Sequence, residues 1–282
     1  MPLSPLVSTE WLASRLGEAG VKVVDASWYL PTAGRDAAAE FRAEHIPGAV
    51  FFDIDTISDR SSPLPHMLPT AEEFAKAAGA LGIAETDTIV VYDGAGLFSA
   101  PRVRWTFRVM GAENVFVLDG GLPKWKAEGR PLESGEAKPA SAVFHARLDE
   151  AAVAALPDVR AALANGSAQV VDARPGDRFR GEAPEPRPGL RAGHMPGARN
   201  VPFSDVLKDG RLKSPADLAS VFAAAGVDPE KPVVASCGSG VSAAVVGLAL
   251  ETVGAAPARI YDGSWAEWGA REATDVVTGP AG

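Results

Sequence analysis

The chain contains one cysteine, Cys237, and its neighbours suit it to act as a nucleophile. It follows the apolar, β-rich run Val233-Val234-Ala235-Ser236, which is too short for a helix. It opens the loop Gly238-Ser239-Gly240-Val241-Ser242, after which the Ala/Val/Leu-rich stretch Ala243 to Leu250 reads as a helix. A thiol at that point faces the loop N–H groups and the N-terminus of the next helix, and both favour a negative charge. A free cysteine is more commonly a small buried hydrophobe. The strand–loop–helix setting is what points Cys237 toward thiolate chemistry.

The loop also says which chemistry to exclude. Cysteine phosphatases hold the phosphoryl oxygens with an arginine six positions after the nucleophile. Here that position is Ala243, and the loop contains no arginine. Arginines occur instead in the segment after the first strand of the second half, as Arg178, Arg180 and Arg187. Such clusters are ordinarily solvated, but Pro184 and Pro186 stiffen this one, and a fixed planar guanidinium suits bidentate recognition of a carboxylate. His66 lies in the Pro-rich loop Ser58 to Met67, close after Asp53 and Asp55. A lone histidine in such a loop is ordinarily a surface or interface residue.

These residues are positioned by a protein written twice. Asp25-Ala26 after Val21 to Val24 is echoed by Asp172-Ala173 after Val170-Val171. His45-Ile46-Pro47-Gly48 is echoed by His194-Met195-Pro196-Gly197, and Thr70 to Leu81 by Ser214 to Ala225. Leu118-Asp119-Gly120-Gly121 with Trp125 is echoed by Tyr261-Asp262-Gly263-Ser264 with Trp268. Read without a gap from Val90 to Trp125, the repeat sets Gly94 against Cys237, so the nucleophile belongs to the second copy alone. The symmetric histidines His45 and His194 read as scaffold, each bonded to backbone beside its Pro-Gly turn, and Trp125 and Trp268 read as core.

Each copy alternates strands with helices, which predicts an α/β fold with a mostly parallel sheet and helices on both faces. Ligands of such sheets bind beyond the carboxyl ends of the strands, where the Cys237 loop lies. The spacing predicts a first domain over 1–130, a Pro/Gly-punctuated linker over 131–155 and a second domain over 156–282. Val143 to Leu148 alternates as an edge strand would, and His145 within it carries no functional weight.

With 282 residues the length fits two domains of roughly 150 residues each. A hydrophobic fraction of 46% and a charged fraction of 22% describe an ordinary soluble protein. A net charge of −9 argues against a nucleic-acid partner. One cysteine excludes an internal disulfide framework and a cysteine-built zinc site, and a lone thiol kept reduced fits the cytoplasm. Met1 to Glu10 has neither a basic nor an apolar region of the kind a secretory signal needs. No apolar run approaches the roughly 20 residues of a membrane span.

Two tandem copies, His-x-Pro-Gly turns in both and a cysteine only in the second resemble the rhodanese-type sulfurtransferases. The loop Cys237-Gly238-Ser239-Gly240-Val241-Ser242 further resembles the 3-mercaptopyruvate branch, whose usual loop ends in threonine where this chain has Ser242. Neutral Gly238 and Ser239 depart from thiosulfate-using relatives, which carry basic residues after the cysteine. The resemblance implies two rhodanese-like domains and sulfur transfer from 3-mercaptopyruvate through a Cys237 persulfide to a thiol acceptor or cyanide. It implies no metal or organic cofactor, since the cysteine carries the group. The acceptor is expected to be a thiol, such as a thioredoxin-like protein.

By the same resemblance, Arg178 and Arg187 hold the substrate's carboxylate and keto oxygen. Gly238, Gly240, Val241 and Ser242 line the substrate, and Arg180 makes structural ion pairs. Asp55, His66 and Ser239 match a proposed proton relay. Thiosulfate transfer, a non-catalytic sulfur carrier and a tandem binding module stand as alternatives, separated by donor preference and by the fate of sulfur on Cys237.

Overall fold

The computed structural model describes residues 4–281, which fall into two compact units. The first gathers the residues up to Arg60 with Leu68–Asp149 and Asp209–Arg211. The second gathers Ser61–Met67, Glu150–Lys208 and the residues from Leu212 onward.

Among the described residues of the first unit the strands are β1 (Leu6–Val7), β2 (Val21–Asp25), β3 (Ala49–Phe51), β4 (Thr88–Tyr92) and β5 (Val115–Leu118). They form one parallel sheet in the order β1-β5-β4-β2-β3. The second half holds β6 (Val153–Ala154), β7 (Gln169–Asp172), β8 (Arg199–Asn200), the ribbon strands β9 (Leu207–Lys208) and β10 (Arg211–Leu212), β11 (Val233–Ser236) and β12 (Arg259–Tyr261). Its parallel sheet runs β6-β12-β11-β7-β8, the same topology as the first. The central strands are fully apolar or nearly so because both faces are covered: Ile89 to Tyr92 and Val233 to Ser236 are buried throughout.

The helices are α1 (Thr9–Ala13), α2 (Ala37–Ala43), α3 (Ala71–Ala80), α4 (Ala100–Val109) and α5 (Gly121–Ala127), then α6 (Leu156–Asn165), α7 (Gly176–Phe179), α8 (Pro215–Ala224), α9 (Val241–Thr252) and α10 (Ser264–Trp268). With their caps, α3 and α8 occupy the two stretches expected from the repeat. Thr70 and Glu73 form a reciprocal capping box, and Ser214 accepts from Asp217 N. Helix α9 has no polar face: Val241 and Ala243 to Leu250 are all buried, so it packs on every side.

Both repeat histidines are scaffold. Their Nδ1 atoms lie 2.8 Å from Phe41 O and 2.9 Å from Phe179 O, and the rings stack on those phenylalanines. Trp125 and Trp268 anchor the two hydrophobic cores.

The expected linker over 131–155 is not a free connection. Residues up to Asp149 pack on the first unit, where Phe144 is buried against Phe74 and Phe107. Val153–Ala154 is already a strand of the second sheet. Val143 to Leu148 forms no regular strand, although Arg147 N donates to Met110 O at 3.0 Å; exposed His145 pairs with Glu85.

One carboxylate of the first unit is buried without a cation beside it in the turn. Asp25 ends β2, 2% exposed, and its Oδ1 accepts from Ser27 N at 2.8 Å. Burial outweighs its hydrogen bonds and pushes the carboxyl up to about 6. The folded state therefore holds this proton more tightly than the unfolded chain does between about pH 4 and pH 6. The stability contributed by the neutral form is complete below that window and lost above it, a loss of about 3 kcal/mol. Asp25→Asn is expected to raise the urea midpoint at pH 7 and to lose most of that advantage at pH 4. An advantage independent of pH would show that the charge is not the cost.

Candidate active site

In the second sheet the chain leaves β7 toward β8 and leaves β11 toward β12, in opposite directions. The carboxyl ends of β7 and β11 therefore flank the switch point at which open α/β sheets hold ligands. Cys237 follows β11 directly, and the α7 turn carrying Arg178 follows β7.

Cys237 is 2% exposed and its loop is pinned from behind. Its N–H donates to Ser264 Oγ at 3.2 Å, and Ser264 Oγ donates to Tyr261 O at 2.8 Å. Trp265 N and Ala266 N donate to the carbonyls of Cys237 and Gly238 at 2.9 and 3.0 Å. Ser264 adopts φ +48°, a left-handed conformation that costs a residue with a Cβ about 1 kcal/mol or more. The repeat has Gly121 there, at φ +53°. A serine is tolerated because its hydroxyl bridges the nucleophile's backbone to β12. Gly240 caps α9 at φ +77°, and Val241 is buried beneath the loop while Ser242 is partly exposed.

The first unit shows what such a loop holds. Strand register sets Val90 opposite Phe116 and Val234 opposite Arg259. Ala26 N donates to Tyr92 O as Ala173 N does to Ser236 O, and Leu122 N donates to Asp93 O as Trp265 N does to Cys237 O. Asp93, rather than Gly94, therefore occupies the position of Cys237. The first loop is one residue longer before the helix C-caps Met110 and Val253, which hides the correspondence from an ungapped reading. The Asp93 carboxylate accepts from Ala95 N at 3.0 Å, Phe98 N at 2.7 Å and Ala100 N at 2.9 Å. The turn gathers backbone N–H groups around the Asp93 side chain, although burial outweighs them and pushes its carboxyl above the usual carboxylate range. In the second unit a thiol stands at the same point.

Two guanidinium groups converge beside the nucleophile. A Cβ on Gly238 would lie 3.5 Å from Arg178 Nη2 and 3.7 Å from Arg187 Nη1. Arg187 Nη2 donates to Ser239 Oγ at 3.4 Å. His66, buried at 5% exposure, brings Nδ1 to 3.1 Å from the same hydroxyl across 173 residues of sequence. It does so from a left-handed backbone, φ +60°. Asp55 belongs to the first unit, where it is exposed and accepts from Trp28 Nε1 at 3.0 Å. Arg180 pairs with Glu182 at 2.7 Å on the surface, a structural pair as expected.

Behind the arginines runs a chain of charges that the sequence did not single out. Arg174 is 1% exposed and donates through Nε and Nη2 to Asp172, through Nη2 to Gly193 O and through Nη1 to Glu185 at 2.7 Å. Its guanidinium stacks 4.0 Å above the Trp265 ring. Glu185 also takes Arg178, through Nε at 3.3 Å and through Nη2. A sequence signal did exist: the repeat sets Ser27 where the second copy has Arg174 after the shared Asp-Ala.

A site with a buried thiol at a strand-to-helix turn, two guanidinia and a histidine-linked hydroxyl can bind a small carboxylate and attack an atom held over the loop. The rhodanese-like domain family model matches residues 8–128 and 155–271. The 3-mercaptopyruvate sulfurtransferase of Homo sapiens is 50% identical over 270 residues, covering 93% of this chain and 91% of that protein. The enzyme of the same name from Escherichia coli K12 is 46% identical over 266 residues, covering 94% and 95%. The crystal structure of SseA from Escherichia coli, described as a 3-mercaptopyruvate sulfotransferase, superposes with a TM-score of 0.86 at 42% identity, over 93% of this chain and 99% of that one. The Tum1 protein of Saccharomyces cerevisiae superposes with a TM-score of 0.88 at 32% identity over the whole of both chains.

Proposed function

The chain belongs to the rhodanese-like family, and on that footing we propose that it moves sulfur from 3-mercaptopyruvate to a thiol acceptor or cyanide. It is an enzyme, a sulfurtransferase, and its chemistry resides in the second unit. The observation that carries the reading is Cys237, buried at the strand-to-helix turn, with Arg178 and Arg187 converging over Gly238.

Arg178 and Arg187 bind the carboxylate and keto oxygen, which leaves the substrate sulfur over the loop. The Cys237 thiolate attacks that sulfur, and the carbon–sulfur bond breaks. Its electron pair passes to carbon as the enolate of pyruvate, and the proton from the donor's thiol ends on that carbon. The product is a Cys237 persulfide. An acceptor thiolate or cyanide then attacks the outer sulfur and returns Cys237 as a thiolate. Ser239 and His66 are the proposed proton carriers, supported by their 3.1 Å contact. Gly238, Gly240, Val241 and Ser242 form the floor beneath the substrate. The acceptor is proposed to be a thioredoxin-like protein and the compartment the cytoplasm, where a thiol stays reduced. Among the described residues no helix is long and apolar enough to cross a membrane.

Mass spectrometry of the protein mixed with 3-mercaptopyruvate, alongside a pyruvate assay, tests the reading. One sulfur added to Cys237, with pyruvate released and the sulfur removed by a thiol, is the expected result. Sulfur that stays on Cys237 would make the chain a carrier, no adduct would make it a binding module, and a preference for thiosulfate would change the donor. Arg187→Gly is expected to raise KM for 3-mercaptopyruvate about 10- to 100-fold, the worth of a charge-assisted hydrogen-bonded pair. KM for thiosulfate, which has no carboxylate, should move much less. Equal losses for both donors would deny Arg187 the carboxylate.

A further inference from the structure

We infer that Glu185 is a positioning residue for sulfur transfer, holding the Arg178 guanidinium in place over the Cys237 loop. The inference rests on the assigned activity and adds a residue to it.

The geometry begins with burial. The Glu185 side chain is 1% exposed, and a carboxylate is kept in such a place only when it is paired and hydrogen-bonded. Its Oε1 accepts from Arg174 Nη1 at 2.7 Å and from Arg178 Nε at 3.3 Å, and its Oε2 accepts from Arg178 Nη2. Arg174 cannot follow Glu185, because Asp172, the Gly193 carbonyl and the Trp265 ring fix it. Glu185 is thus the link between an immobile arginine and one that meets the substrate.

Arg178 needs such a link. Its side chain is 19% exposed at the mouth of the site, and a long arginine loses much rotamer freedom when it grips a ligand. Glu185 takes the Nε–Nη2 edge, which sets the plane of the guanidinium before any ligand arrives. Nη2 then stands 3.5 Å from where a Gly238 Cβ would be, and Nη1 bonds to none of the described residues. That leaves Nη1 for an anion, on a guanidinium whose Nη2 lies beside the residue after the nucleophile. Binding energy that would have ordered the arginine is kept for holding substrate.

A double-mutant cycle read by pyruvate binding separates positioning from a general role in folding. Pyruvate carries the substrate's carboxylate and keto group but no sulfur, so its dissociation constant is independent of turnover. Glu185→Gln is expected to weaken pyruvate binding about tenfold in the parent chain and less than about twofold in an Arg178→Ala background. KM for 3-mercaptopyruvate should rise in parallel. The same weakening in both backgrounds, or none in the parent, would overturn the inference. If Glu185→Gln fails to fold, Glu185→Asp replaces it, since the shorter carboxylate keeps the charge against Arg174 while drawing back from Arg178. Turnover of 3-mercaptopyruvate by the parent chain tests the assigned activity separately. Its absence would remove that activity and leave the cycle readable through pyruvate.

Discussion

Cys237→Ser is expected to abolish sulfur transfer, with kcat/KM falling on the order of 10⁴-fold or more, while the thermal midpoint stays within a degree or two of the parent. Serine fits the 2%-exposed site and keeps the backbone bonds to Ser264 and Trp265, so the fold has little reason to respond. Its oxygen cannot form a persulfide. No second group stands in, because the corresponding position of the first unit is Asp93, whose carboxylate is committed to three backbone N–H groups. Steady-state kinetics with both donors, together with the mass of the donor-treated variant, checks this. Residual turnover within about tenfold of the parent would place the nucleophile elsewhere.

Arg174→Met is expected to be the most destabilising single change in the second unit, by about 3–5 kcal/mol at pH 7. Asp172, Arg174 and Glu185 are each 1% exposed, and among the described residues the arginine alone bonds to both carboxylates. Methionine fills much of the same volume over Trp265 but leaves the carboxylates without the charge that made their burial tolerable. Urea unfolding of parent and variant at pH 7 measures the loss. A small loss would mean that water reaches the carboxylates and that the chain of charges is not closed. The same variant should weaken substrate binding in whatever fraction stays folded, since Glu185 then has one arginine left.

The Asp25→Asn and Arg174→Met experiments compare two answers to one problem. Asp25 and Asp172 stand at the same point of the repeat, each ending a central strand. The second unit neutralises its carboxylate with Arg174 and carries the charge onward to the site. The first has Ser27 there, and burial holds the Asp25 carboxyl at about 6. One aspartate became the root of a binding site and the other remained a buried acid.

The sequence by itself determined the features written locally or by repetition. The runs Ile89 to Tyr92 and Val233 to Ser236 announced buried parallel strands, because a strand covered on both faces has no polar alternation. The parallel of Thr70 to Leu81 with Ser214 to Ala225 marked α3 and α8, and the repeated His-x-Pro-Gly turns fixed the duplication. Cys237 at a strand-to-helix loop, with no arginine at Ala243, was enough to mark a candidate nucleophile and to argue against phosphate transfer. Ser264 had a weaker signal, a serine where the repeat keeps glycine.

Tertiary structure alone decided what depends on convergence. The one-residue difference in loop length is invisible when flanking strands and helices align by eye, and only hydrogen-bond register assigns Asp93 to the place of Cys237. Ser239 and His66 meet across 173 residues, and no local pattern encodes that contact. Glu185 reads as one more charge in a polar loop until packing closes over it. Periodicity and propensity report how a residue relates to its neighbours in the chain, whereas a site depends on which distant side chains the fold dehydrates together. The sequence could name a cysteine poised for chemistry; the fold supplied its burial, the paired arginines and the buried carboxylate that orients one of them.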